Sequence, residues 1–213
     1  MGLIGPNGSG KSTLFNLITN LVAPDAGRVT YNGRSLTGLK LHEVARRGIA
    51  RTFQEVKIFR ELSAWENLRL AALGRSVEGW HARGRALFAE LGLGELHDAD
   101  GEQLSIGQQR LLELAMQLVV EPSALLLDEP LAGVHPNVRS KIAAMIRSER
   151  DKGKVILIIE HDFRFMMRLC DWLVVLDHGV KIAEGPPAAV RSDPRVLAAL
   201  LGSREADTRW FAS

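Results

Sequence analysis

The sequence predicts an α/β fold, a parallel sheet with helices on both faces, and two observations predict it. Three short apolar runs, Ala124 to Leu127, Val155 to Ile159 and Leu173 to Leu176, follow one another at helix-length intervals without polar alternation. Strands buried on both faces lose the in–out alternation of a half-exposed sheet, and parallel pairing needs a helix between strands. Between the first two runs, Val138, Ile142, Met145 and Ile146 recur at i, i+4, i+7 and i+8, which is one face of a helix.

The remaining elements follow in order. Met1 to Ile4 reads as the end of a buried strand that opens at once into a glycine-rich loop. Leu14, Leu17, Ile18 and Leu21 then mark the buried face of a helix, which Pro24-Asp25-Ala26-Gly27 breaks. Val29-Thr30-Tyr31 before Asn32-Gly33 is a short strand entering a turn, and Gly48 to Phe53 is another strand. From about Ser63 to Leu91 the pattern is mostly helical, interrupted by Gly and Trp, and Gly92 to Gly101 is a loop. The next helix runs to about Val120, with Leu111, Leu114, Ala115, Leu118 and Val119 on one face. Asp177-His178-Gly179 turns the chain into Val180-Lys181-Ile182, a small hairpin. Ser203 to Ser213 is a polar, frayed tail in which Trp210-Phe211 has the character to dock.

Composition sets limits without naming a function. A chain of 213 residues, 46% hydrophobic and 24% charged, is an ordinary globular domain able to bury a core unaided. A net charge of +2 is too mild to point to nucleic acid. The single cysteine, Cys170, excludes a disulfide framework and a Cys-rich metal site. No apolar run approaches the ~18 residues a membrane span needs, and the N-terminus lacks the basic-then-apolar pattern of a secretory signal.

Gly5-Pro6-Asn7-Gly8-Ser9-Gly10-Lys11-Ser12 matches G-x-x-x-x-G-K-[ST] in full, between a strand end and a helix start. Glycines let the loop curl until successive N–H groups face phosphate oxygens, and the helix adds its positive end. Lys11 reaches the β- and γ-phosphates and the Ser12 hydroxyl is a Mg²⁺ ligand; Thr13, where a dinucleotide loop would place its third glycine, completes the binding segment. Leu127-Asp128-Glu129 ends an apolar strand on two carboxylates. Alternation along a strand sends the two to opposite sides. Asp128 is then suited to hold Mg²⁺ through water beside Ser12, and Glu129 to take a proton from an attacking water.

Leu104-Ser105-Ile106-Gly107-Gln108-Gln109-Arg110 resembles the signature motif of ATP-binding cassette (ABC) ATPases, with Ile106 in place of the usual first glycine. The resemblance implies a P-loop, RecA-like core over residues 1–202 with a helical subdomain inserted at about 60–120, followed by a flexible tail at 203–213. It further implies that Ser105, Gly107 and Gln108 of one subunit close over ATP held by the phosphate loop of another. Gln54 matches the glutamine that approaches Mg²⁺ and water and senses the membrane partner, and His161 the histidine that hydrogen-bonds the γ-phosphate. His135 stands where many cassettes carry Asp, so the resemblance does not carry inter-subunit coupling over to that position. His42, His81, His97 and His178 have no partner at metal spacing and read as surface residues.

Gly2 to Gly8, Leu14 to Thr19, Gly48 to Gln54, Ile159 to Asp162 and Asp193 to Val196 look like one subfamily, the ATP-binding subunits of branched-chain amino acid importers and relatives carrying urea or other amides. That resemblance implies ATP and Mg²⁺ as cofactors. It also implies a second ATP-binding subunit, a copy or a paralogue, and transmembrane permeases with an external solute-binding protein behind them. The place implied is peripheral, on the cytoplasmic face of the membrane, with Glu55 to Trp65 lining the groove for the permease. The strands and adenine-stacking aromatic that precede the loop in that family are absent here, as expected of a late start or a fragment. A binding subunit with weak or no hydrolysis is the alternative this leaves.

Overall fold

The computed structural model describes residues 1–75 and 77–201. In chain order the strands are β1 (Gly2–Ile4), β2 (Thr30–Tyr31), β3 (Arg34–Ser35), β4 (Ile49–Arg51), β5 (Ala124–Asp128), β6 (Val155–Ile159), β7 (Leu173–Asp177) and β8 (Val180–Gly185). The helices are α1 (Lys11–Ile18), α2 (Leu41–Arg46), α3 (Ala64–Leu73), α4 (Trp80–Leu91), α5 (Ile106–Val119), α6 (Pro136–Asp151), α7 (Phe163–Leu169), α8 (Pro187–Ser192) and α9 (Pro194–Leu201). Contacts gather these into two compact units, Met1–Ala45 with the described residues from Leu157 onward, and Arg46–Ile156.

In the first unit β1 is the centre of a parallel trio. Gly2 and Leu3 pair with Ile158 and Ile159 of β6, while Gly2, Leu3 and Ile4 pair with Leu173, Val174 and Val175 of β7. β8 then runs antiparallel to β7, so the hairpin read from Asp177-His178-Gly179 extends through Gly185. Burial of all of β1 and of four residues of β6 explains their uniform apolar character. Asn32 and Gly33 take positive φ, 49° and 72°, as a two-residue hairpin turn between β2 and β3 requires. The buried face of α1 differs from the one expected. The helix begins only at Lys11 and ends at Ile18, so Phe15 is its fully buried residue. Leu14, Leu17 and Ile18 are half-buried, and Leu21, past the helix end, is exposed.

In the second unit β4 and β5 pair in parallel, Ile49 with Ala124 and Arg51 with Leu126. α3, α4 and α6 surround α5, which is why α5 buries nine of its fourteen residues. Leu112, Ala115, Leu118 and Val119 are each 0% exposed. Burial of one such leucine contributes roughly 1.5–3 kcal/mol. The helical run from Ser63 to Leu91 is two helices: α3 opens on a capping box between Ser63 and Glu66, Gly74 closes it, and Gly79 at φ 65° starts α4. Arg83 Nε donates to the Leu118 carbonyl (2.9 Å) and Lys141 Nζ to the Leu91 carbonyl (3.1 Å), placing cations on helix C-terminal carbonyls. The stretch expected as a plain loop, Gly92 to Gly101, contains a 3₁₀ turn at Gly94–Leu96 and leads into another at Gly101–Gln103. The tail expected from Ser203, with Trp210 and Phe211, lies outside the described residues.

Candidate nucleotide site

The phosphate loop is built from its glycines. Gly5 sits at φ 153°, and a Cβ there would lie 2.1 Å from the Leu176 carbonyl oxygen and 2.7 Å from Ser9 Oγ. Gly8 and Gly10 take φ 77° and 96°. The loop is tied down where the Gly179 N–H donates to the Ser9 carbonyl at 3.1 Å. Gly10 is the N-cap of α1 and no side chain caps that end. Asn7, Gly8, Ser12 and Thr13 are exposed, Pro6 and Gly10 half-buried and Ser9 buried. Lys11 is 5% exposed, and its ammonium donates to the Gly5 carbonyl (2.9 Å), the Pro6 carbonyl (2.8 Å) and Ser9 Oγ (3.4 Å). A buried cation beside an uncapped helix N-terminus suits an anion, because both place positive charge at the loop. His161 belongs to the same unit, half-buried in the turn between β6 and α7, and Asp162 beside it caps α7 by accepting from the Phe165 N–H at 2.9 Å.

The acidic pair lies in the second unit. Asp128, the last residue of β5, is 4% exposed and accepts from Arg51 Nη2 at 3.3 Å. Its N–H donates to Thr52 Oγ1 at 3.1 Å. Burial pushes the Asp128 carboxyl up, Arg51 opposes that shift, and neighbouring Glu129 adds to it. Burial likewise lowers the Arg51 guanidinium against the pull of Asp128. The second oxygen, Oδ1, is buried without a hydrogen-bond partner. An orphaned carboxylate oxygen costs free energy unless something occupies it, and a hard oxygen donor is what Mg²⁺ or its bound water takes. Asp128 fits the ion on that ground.

Glu129 is not a strand residue. β5 ends at Asp128 and Glu129 turns off it at φ 48°, so backbone conformation rather than strand alternation separates the two carboxylates. A non-glycine residue held in the left-handed region is strained by roughly 1–3 kcal/mol, and such strain gathers where function needs a fixed side chain. Gln54 Nε2 donates to Glu129 Oε2 at a long 3.4 Å, so these two expected site residues are brought together.

Ser105 is the N-cap of α5, in a full capping box. Its N–H and its hydroxyl both donate to Gln108 Oε1, at 2.8 and 2.9 Å, and its Oγ accepts from the Gln108 N–H at 3.4 Å. Its one hydroxyl proton therefore goes to Gln108, and a phosphate would have to take that proton from Gln108. Gly107 packs on α6, where a Cβ would meet Val138 Cγ2 at 3.0 Å, whereas Ile106 is 64% exposed. The tight position thus keeps its glycine, and the departure faces solvent.

Sequence reading gave no role to Arg51 or Glu113, and took Arg110 only as the basic residue that closes the signature segment. Arg110 and Glu113 are 4% and 1% exposed and meet at 2.9 Å inside α5. Burial pushes the Glu113 carboxyl up, with Arg110 working against it. The signal was present: an i, i+3 pair of opposite charges, and an arginine at the end of an apolar strand, each inside a segment that is otherwise core.

Comparison with known proteins agrees with these features. Residues 1–132 match the family described as ABC transporter, and residues 180–206 match the branched-chain amino acid ATP-binding cassette transporter family. The chain is similar to the high-affinity branched-chain amino acid transport ATP-binding protein BraF of Pseudomonas aeruginosa, 36% identical over 220 residues covering 95% of this chain and 86% of that protein. It is also similar to the lipopolysaccharide export system ATP-binding protein LptB of Escherichia coli, 37% identical over 205 residues, covering 95% of this chain and 85% of that protein. Among solved structures, an ATP-binding cassette of an ABC transporter in its ADP conformation superposes with a TM-score of 0.83 at 33% identity, covering 94% of this chain and 87% of that one. An α/β chain with this phosphate loop, acidic pair and signature helix belongs to the ABC transporter family, as an ATP-binding and ATP-hydrolysing subunit.

Proposed function

We propose that this subunit drives an importer of branched-chain amino acids or related small amides. The observation that carries the reading is the match of residues 180–206 to the branched-chain amino acid cassette family, supported by the likeness to BraF. Gly5, Pro6, Asn7, Gly8, Ser9, Gly10, Lys11, Ser12 and Thr13 bind the phosphates. Ser12, Gln54 and Asp128 are the residues assigned to Mg²⁺, which would neutralise phosphate charge. Glu129 acts as general base toward water, a role worth roughly 10²–10⁴ in rate, with His161 assigned to the γ-phosphate. Ser105, Gly107 and Gln108 serve the nucleotide of a second ATP-binding subunit. Transmembrane permeases, fed by an external solute-binding protein, receive the work, and the subunit sits peripherally at the membrane's cytoplasmic face. Among the described residues no helix is long and apolar enough to cross a membrane. The likeness to LptB supports a second reading, a subunit serving export.

Phosphate release from Mg-ATP tests the chemistry: Glu129→Gln is expected to bind ATP with unchanged affinity and hydrolyse it at least about 100-fold more slowly. Hydrolysis by that variant at the parental rate contradicts the assignment of Glu129. Uptake of labelled leucine by a strain lacking the gene tests the cargo, with lost uptake expected for import of branched-chain amino acids and unchanged uptake contradicting that cargo.

A further inference from the structure

The chain from Phe53 to Leu62, between β4 and α3, forms no helix or strand, yet it is fastened at both ends. At its start Arg110 of α5 donates from Nη1 to the Phe53 carbonyl at 2.9 Å and from Nη2 to the Gln54 carbonyl at 2.7 Å. The same Nη1 donates to Glu113 Oε2 at 2.9 Å, and Glu113 gives its other oxygen, Oε1, to the Lys57 N–H at 3.1 Å. At its far end Asn67, 0% exposed, accepts from the Phe59 N–H at 2.7 Å and donates to the carbonyls of Phe59, Leu62 and Ser63 at 2.8, 3.1 and 3.0 Å.

A guanidinium spanning two successive carbonyls fixes both peptide planes, because turning either one strands a buried donor. A buried ion pair gives little net stability over apolar packing of the same volume, so what this pair contributes is geometry. We propose that Arg110 and Glu113 are positioning residues for Gln54. They hold its backbone so that its amide meets Glu129, and they tie that contact to α5, the helix whose N-terminus carries Ser105 and Gly107. A shift of α5 then carries Gln54 with it and changes its approach to Glu129. The proposal rests on the reading of Gln54 and Glu129 as catalytic.

A double-mutant cycle on Mg-ATP hydrolysis tests it, because residues that act through one another do not add. Glu113→Gln and Arg110→Lys are each expected to lower kcat about tenfold, with KM for ATP changed less than twofold. On a Gln54→Ala background the same substitutions are expected to lower kcat less than twofold. An equal fall on both backgrounds overturns the proposal, as does a rise in KM that matches the loss of kcat. Hydrogen exchange gives a readout that does not need hydrolysis: the Lys57 amide of Glu113→Ala is expected to exchange at least about ten times faster than the parental one, with β5 unchanged. Unchanged protection at Lys57 overturns the strut. If the parental chain hydrolyses no Mg-ATP, the catalytic reading fails, and the exchange result still decides whether Glu113 holds the segment.

Discussion

Arg51 and Asp128 face each other across neighbouring strands, Nη2 to Oδ2 at 3.3 Å, with side chains only 7% and 5% exposed. The guanidinium also lies 4.9 Å from the centre of the Phe53 ring. One carboxylate oxygen is thereby occupied and the other left for a ligand. Removing the cation leaves a buried charge without compensation, which is far costlier than removing both partners. Arg51→Met is expected to lower unfolding free energy by about 3 kcal/mol in urea titration, and Arg51→Met with Asp128→Asn to recover part of that loss. A double variant no more stable than Arg51→Met contradicts this view of the pair.

Gly5 is the loop position that tolerates least. A side chain there is opposed by backbone conformation and by the Leu176 carbonyl, a main-chain atom that cannot swing aside. Gly5→Ala is expected to cost about 1–3 kcal/mol in thermal unfolding. Titration with a fluorescent ATP analogue should also show at least a tenfold loss of affinity, since the loop must open to admit the methyl group. Parental affinity in this variant would mean that the curl of the loop is not what holds phosphate.

Glu149 gives a pH signature. Its carboxylate is 0% exposed and accepts from Lys152 at 2.6 Å and from Lys154. Burial alone would raise its pKa, but the two lysines outweigh it and hold the group below its ordinary value of 4.5. A carboxylate lowered by folding stabilises the protein above its unfolded pKa and loses that contribution as pH falls through the folded one. Glu149→Gln is therefore expected to be less stable by about 1–3 kcal/mol at pH 7, with the gap closing as the pH is taken below 4.5. Urea titrations of both proteins across that range check it, and a gap that widens on acidification contradicts it.

Much of the fold was legible because strands buried on both faces and helices with one apolar face leave periodic traces. β5, β6, β7, α5 and α6 were each read from such runs. The phosphate loop and the acidic pair were legible for a different reason, since their chemistry needs fixed residue types at fixed spacing. What sequence did not reveal depends on tertiary partners. The burial of Phe15 in place of Leu21 follows from where α1 starts and stops, and the turn of Glu129 off its strand is a backbone event that no periodicity encodes. Helices α2, α7, α8 and α9 have six to eight residues each, too short for a period to stand out. The burial of Arg110 and Glu113 comes from the helices packed around α5, which no local spacing encodes.

We propose that nucleotide is enclosed by two ATP-binding subunits, each contributing its signature helix to the other's phosphate loop. Light scattering of the Glu129→Gln protein with Mg-ATP tests it most directly, because this variant should keep the triphosphate intact. The expected result is a particle of twice the monomer mass that reverts to monomer when Ser105→Arg is added. A monomer that remains saturated with ATP would contradict enclosure between two copies of this chain.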